Sequence, residues 1–157
     1  MRVSVVGGSA VGATEREIAH ELGGRLADRG HTVVCGGLGG VMEAVCEGAR
    51  EAGGHTVGIV PGDDPDDANP FVETAVATGL GHARNALVVM NGDAVVAVDG
   101  GGGTLSEIGY AAVFDRPVAG LDTHDVAGVH PCETPGEAVD YVECAVDGDS
   151  DGDDGVR

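Results

Sequence analysis

Three glycine-rich stretches follow apolar runs in this chain, and glycine in that position suits one kind of chemistry. Gly7-Gly8-Ser9 follows Val3-Ser4-Val5-Val6; Gly36-Gly37-Leu38-Gly39-Gly40 follows Thr32-Val33-Val34-Cys35; Asp99-Gly100-Gly101-Gly102-Gly103 follows Ala94-Val95-Val96-Ala97-Val98. With no side chains in the way, backbone N–H groups can converge on an anion, and a helix starting there adds the positive end of its dipole. Glycine also serves tight turns. Four consecutive glycines between a buried strand and a helix exceed what a turn needs, so the expected ligand is anionic and carries phosphate. No G-x-G-x-x-G fingerprint fits, because Met42 and Ser106 stand where a last glycine would fall, and this disfavours NAD or FAD.

Two side chains beside these loops can act on such a ligand. Thr104-Leu105-Ser106-Glu107 reads as a capping box, in which Thr104 closes the helix start and Glu107 reaches back to it. Glu107 could equally project into the crevice as an acid, a base or an acceptor for a sugar hydroxyl. Arg84 falls near an expected helix start, where a cation opposes the helix dipole, and that points to an anionic or polar partner. Its competing reading is an ordinary surface ion pair. The clusters His130-Pro131-Cys132-Glu133 and Asp63-Asp64-Pro65-Asp66-Asp67 match neither zinc nor calcium spacing, so they read as loop and solvated charge, and no metal is expected.

Strands alternating with helices must position these groups. The pattern predicts strands at Val3–Val6, Thr32–Cys35, Thr56–Val60, Ala94–Val98 and Pro117–Leu121, with a short extended segment within Phe71–Thr78. Helices are expected over Thr14–Arg29, Val41–Ala52, His82–Met90, Thr104–Phe114 and Gly136–Val146. The fold class is α/β: a Rossmann-like parallel sheet with helices on both faces, a three-layer α/β/α arrangement whose post-strand loops open on one rim. Residues 1–146 form one domain, and the tail 147–157, with five aspartates, is expected to be disordered.

Composition narrows the partners. The chain of 157 residues carries 27 acidic groups against 8 basic ones, a formal net charge of -19, and every basic residue is arginine. Such a surface repels nucleic acid and anionic membranes. Without lysine, neither a pyridoxal phosphate Schiff base nor a Walker-type loop can form. Cys35, Cys46, Cys132 and Cys144 are scattered and read as small buried hydrophobes rather than a zinc or redox motif. No apolar run approaches a membrane span, so the expected location is cytoplasmic.

The segments Gly36-Gly37-x-x-Gly40-Val41-Met42-Glu43-Ala44, Gly81-His82-Ala83-Arg84-Asn85 and Gly101-x-Gly103-Thr104-x-x-Glu107 resemble the LOG-like superfamily. That group contains Lonely Guy phosphoribohydrolases, proteins once called lysine decarboxylases, and molybdenum cofactor carrier proteins. The resemblance runs from Met1 to about Val146. In the phosphoribohydrolases the signatures are P-G-G-x-G-T-x-x-E and M-H-x-R-K, and their Arg and Glu break the N-glycosidic bond of a nucleoside 5′-monophosphate. By position these are Arg84 and Glu107, with Gly101 to Thr104 as the phosphate cradle. Departures stand at Asp99-Gly100 in place of proline, Gly81 in place of methionine and Asn85 in place of lysine, and they bring the chain closer to the carrier-like branch. The resemblance, with the Ala-rich helices, implies a homodimer or higher homo-oligomer.

The candidate catalytic residues are thus Arg84 and Glu107. The candidate binding residues are Gly8, Ser9, Gly36, Gly37, Gly40, Met42, Gly100, Gly101, Gly102, Gly103 and Thr104. The expected function is binding of a small phosphorylated, nucleotide-like ligand, with hydrolysis of a nucleoside 5′-monophosphate to base and ribose 5-phosphate as its catalytic form. The alternative is a non-catalytic carrier of molybdenum cofactor or a related phosphorylated pterin as cargo; no cofactor is otherwise required. The excess of carboxylates without lysine resembles proteins of salt-loving cells, where ionic screening suppresses self-repulsion. The protein is therefore expected to lose its cooperative melt as molar salt is diluted away; a melting curve unchanged between molar salt and dilute buffer would contradict this.

Overall fold

In the computed structural model, which describes residues 1–151, valine-rich segments form one sheet. Its strands are β1 (Arg2–Gly7), β2 (Thr32–Cys35), β3 (Thr56–Val60), β4 (Thr74–Ala77), β5 (Ala94–Val98), β6 (Val118–Leu121) and β7 (Val129–Cys132). All neighbours are parallel, in the order β4-β3-β2-β1-β5-β6-β7. The chain winds outward from β1 in one direction and from β5 in the other. The strand order therefore reverses between β1 and β5, where Gly7 stands beside Val98, and a crevice opens at such a reversal.

Helices cover both faces because successive strand side chains point to opposite sides. Val33 and Cys35 of β2 and Val96 and Val98 of β5 pack under α1 (Ala13–Asp28), α2 (Val41–Glu51) and α5 (Pro135–Asp151). Val34, Val95 and Ala97 face the other way, onto α3 (Asn85–Met90) and α4 (Gly102–Val113). Every residue of β5 is buried, as a continuous apolar run at the centre of a parallel sheet requires. The helices α1 and α2 approach so closely that a Cβ at Gly48 would collide with the His20 carbonyl. On the opposite face Ser4 Oγ donates to the Val88 carbonyl at 2.6 Å, tying β1 to α3 and fixing the element that begins at Asn85.

Several expected boundaries move. The helix expected over His82–Met90 divides into a 3-10 turn, Gly81–Arg84, and α3. The strand β7 falls where Val129-His130-Pro131-Cys132 reads as loop because it contains a proline; at the edge of the sheet that missing N–H costs no ladder bond. α5 runs on to Asp151, through the first five residues of the stretch expected to be disordered, and residues 152–157 lie outside the described ones. Only Cys35 and Cys46 are buried, 3.5 Å apart at their sulfurs; Cys144 is exposed and Cys132 half-buried, contrary to the reading of all four as core.

Candidate functional site

A cavity of about 320 Å³ opens at the reversal point, between the ends of β1, β2 and β5. Ten of the expected residues line it: Gly8 and Ser9 after β1, Gly36 and Met42 from the second loop and α2, Arg84, Gly101 to Thr104, and Glu107. Gly37, Gly40 and Gly100 do not. Their glycines answer to the backbone instead. Gly37 and Gly40 have φ of 78° and 64°, and Gly40 abuts Gly8 and Ser9, where Val41 N–H also donates to the Gly8 carbonyl at 3.0 Å. The second loop is thus mainly a turn locked onto the first.

The loop after β5 is different in kind. A Cβ at Gly101 or Gly102 would meet nothing within 4 Å, and at Gly103 only the Asn85 amide nitrogen at 3.9 Å. None of the three has a positive φ. Neither packing nor backbone conformation asks for glycine there, so what the missing side chains leave is open approach to the helix end. α4 begins at Gly102 with Gly101 as its cap and no side chain capping it. Its first N–H groups therefore lack helical acceptors and face the cavity as anion donors. The loop is held from outside, with Thr123 Oγ1 donating to the Asp99 carbonyl at 2.7 Å and the His124 ring within 3.0 Å of the Gly101 carbonyl.

That start also overturns the capping-box reading. Thr104 is the third residue of α4 and Glu107 the sixth, so Glu107 lies beyond the turn it would have to cap. Glu107 is instead 8% exposed, lines the cavity, and has no hydrogen-bond partner among the described residues. Burial pushes its carboxyl up to about 8, with the nearby Arg84 charge pulling it back down. At neutral pH it is mainly an uncharged acid.

Arg84 is no surface ion pair. It is 7% exposed, and its Nε donates to the Ile59 carbonyl of β3 at 2.9 Å and Nη2 to the Gly36 carbonyl at 3.3 Å, while Nη1 donates to Asn85 Oδ1. Burial draws its pKa below the usual arginine value, and the Glu107 and Cys35 charges act against that; the group still remains a cation across ordinary pH. A Cβ at Gly36 would stand 2.7 Å from Arg84 Nη2 and 2.8 Å from Met42 Sδ, so the guanidinium and the thioether together leave room only for glycine.

The cavity is also lined by Val5, Val6, Gly7, Leu38, His82 and Asn85, which sequence reasoning left out of the site. Asn85 follows Arg84 directly and His82 stands two residues before it, and that proximity was the available signal. Away from the cavity, the ligating atoms of His20, Glu47 and Glu51 lie within 4.8 Å of one another at the α1–α2 surface. The His20–Glu51 contact of 2.8 Å accounts for that grouping. Among the described residues no helix is long and apolar enough to cross a membrane.

Residues 1–143 match the model of the SLOG cluster4 family. A protein of Archaeoglobus fulgidus is 42% identical over 142 residues, covering 90% of this chain and 93% of its own. The cytokinin riboside 5′-monophosphate phosphoribohydrolase of Mycobacterium tuberculosis is 34% identical over 116 residues, 68% of this chain and 62% of that one. This chain thus spans less than two thirds of that enzyme's length. The solved structure of the molybdenum cofactor binding protein from Rippkaea orientalis superposes with a TM-score of 0.83 at 31% identity, covering 92% of this chain and 95% of the other.

Two outcomes follow from this geometry. Gly102→Val should leave the melting temperature nearly unchanged, because Gly102 is the first residue of α4 and the added atoms find open space. Its affinity for AMP, measured by calorimetry, should fall at least tenfold, or by about 1.4 kcal/mol; an unchanged affinity would remove the glycine loop from the site. The second outcome concerns pH. Glu107 has a folded pKa raised above its unfolded value, so its contribution to stability is complete below pH 4.5 and declines as pH rises to about 8. A phosphate monoester is already dianionic above a pH of about 6. Affinity for AMP should therefore weaken several-fold between pH 7 and 9 as Glu107 ionises, and Glu107→Gln, which keeps His82 and Arg84, should abolish that slope.

Proposed function

The chain belongs to the SLOG cluster4 family, within the LOG-like superfamily, and from that membership and the chemistry of its cavity we propose that it binds a phosphate monoester carrying a planar heterocycle. The phosphate lies on the first turn of α4, against Gly101, Gly102, Gly103 and Thr104. The heterocycle extends along the apolar wall formed by Val5, Leu38 and Met42. Gly8 and Ser9 close the side at the end of β1. What carries this reading is the pairing of an uncapped helix start with glycines that neither packing nor backbone conformation requires. The buried Arg84 beneath them adds a fixed positive charge in a chain whose net charge is -19.

In the catalytic form of this reading, a nucleoside 5′-monophosphate loses its base. Water oxygen bonds to C1′ of the ribose, the C1′–N bond breaks with its electron pair leaving on the base, and the base takes a proton. The products are free base and ribose 5-phosphate. Glu107 in its acid form hydrogen-bonds the ribose, and once ionised it positions and deprotonates the water. Arg84 stabilises charge on the departing side. A second reading is favoured by a specific observation: the likeness to the molybdenum cofactor binding protein covers nearly all of both chains, whereas the phosphoribohydrolase is matched over 62% of its length. In that form the same cavity holds a phosphorylated pterin without breaking it, and Glu107 serves as a neutral donor.

Base release separates the two. Purified protein in molar salt is incubated with AMP and other nucleoside monophosphates, and free base is followed by chromatography. The catalytic form gives base at a rate that rises with pH towards 8 and vanishes in Glu107→Gln. Tight AMP or pterin binding without base at any pH selects the carrier. Absence of binding to either would remove both.

A further inference from the structure

The buried guanidinium does not act alone. Arg84 Nη1 donates to Asn85 Oδ1, Asn85 Nδ2 donates to Ser106 Oγ at 3.2 Å, and Ser106 Oγ donates to the Gly103 carbonyl at 2.6 Å. We propose that Asn85 is a positioning residue that fixes the direction of Arg84 and couples it to the glycine turn opening α4. The proposal rests on the phosphate-binding reading above for its effect on affinity, though not for the geometry itself.

The direction of the chain is set by what each group can do. Ser106 has one hydroxyl proton and gives it to the Gly103 carbonyl, so it must accept from Asn85. Asn85 therefore turns its nitrogen towards α4, leaving its oxygen for the guanidinium. A flipped amide would set two donors against each other at Arg84. Asn85 is 4% exposed, so little solvent is available to replace either bond. Connected donors and acceptors of this kind polarise one another and hold a single arrangement.

Arginine offers five N–H donors. Three are engaged, by Ile59, Gly36 and Asn85, which leaves two for a ligand. Without Asn85 the Nη1 end would be free to turn, and the two remaining donors would lose their fixed aim. Asn85 is also neutral. It anchors the guanidinium without cancelling its charge, which an acidic residue in the same place would do. The link to Ser106 then keeps the Arg84 fork and the first turn of α4 in register, so that one anion can meet both.

The test uses the full chain in molar salt with Asn85→Leu, Ser106→Ala and the double variant. AMP and inorganic phosphate affinities are measured by calorimetry, and the Arg84 η-proton signals by NMR without ligand. Expected results are a loss of AMP affinity of about tenfold for Asn85→Leu, as for a hydrogen bond to a charged group, and a smaller loss for Ser106→Ala. In the double variant the loss should equal that of Asn85→Leu alone, since the serine acts only through the asparagine. The Arg84 η-protons, separately resolved in the parent, should merge and exchange rapidly in Asn85→Leu. Unchanged affinity with unchanged η-protons in folded Asn85→Leu overturns the proposal; so do losses that add in the double variant, or a fall in melting temperature with affinity intact. Should Asn85→Leu fail to fold, Ser106→Ala decides, because Ser106 is exposed and its loss leaves the core untouched. A parent that binds neither AMP nor phosphate would sink the ligand reading, and the η-proton signals would then decide the positioning role alone.

Discussion

Holding one positive charge at the sheet's rim shapes most of this cavity. A guanidinium taken out of water is costly unless its donors are met, and Arg84 meets them with two backbone carbonyls and one amide oxygen. Each acceptor comes from a different part of the chain. The Ile59 carbonyl requires β3 in register, Gly36 requires the turn after β2, and Asn85 requires the passage from a 3-10 turn into α3. Gly36 can carry no side chain because the guanidinium and the Met42 thioether occupy that space. The tight turn at Gly37 and Gly40, the anchoring of α3 through Ser4, and the parallel register of β1 to β3 are all conditions for one cation to sit where it does.

The same cation explains why Glu107 can stay buried nearby. An isolated carboxylate in that place would be strongly disfavoured, and burial does raise its proton affinity; Arg84 limits the rise. The two groups are therefore a matched pair: a cation fixed by carbonyls and an acid that is close to neutral at physiological pH. Together they leave the cavity positive, while Arg25, Arg50 and Arg29 pair at the surface with Glu21, Glu73 and Glu143. Exposed pairs of that sort contribute little to stability, and less in salt. A buried group is screened far less, so the acidic surface and the buried Arg84 respond differently to salt.

The sheet and its main helices were legible because valine runs and glycine punctuation recur in step, and β2, β3 and β5 fall where the pattern places them. β7 was not legible, since a single proline on an edge strand looks the same in sequence as a proline in a loop. Ten of the thirteen expected residues line the cavity, but the reasons behind them were not legible. The glycine loops after β2 and β5 look alike as letters, yet one is glycine to clear a neighbouring arginine and to turn, and the other is glycine with nothing beside it. Only the positions of surrounding atoms distinguish them. The T-x-x-E pattern at Thr104 misled for a related reason: the helix begins two residues earlier, on glycines that a propensity argument counts against helix. In the sequence Asn85 stands out only as a departure from lysine; its bonds to Arg84 and Ser106 depend on α3 meeting α4 across the sheet face, which local sequence does not encode.

That early start of α4 is itself informative about what the site is for. Gly102 and Gly103 in the opening of the helix weaken it by up to roughly 0.5–1 kcal/mol each compared with alanine, and no cap side chain offsets the loss. A chain selected for stability alone would place a serine or aspartate at the cap and side chains on the first turn. Here the uncapped N–H groups and the empty space above them occur together, over the buried cation and beside the acid. A ligand that fills this space with oxygen acceptors would supply the missing cap, so the weakest part of the helix in isolation is the part with most to gain from occupancy. Local stability and affinity are then the same quantity seen in two states, and binding should rigidify the loop from Asp99 to Thr104 more than any other segment of the sheet's rim.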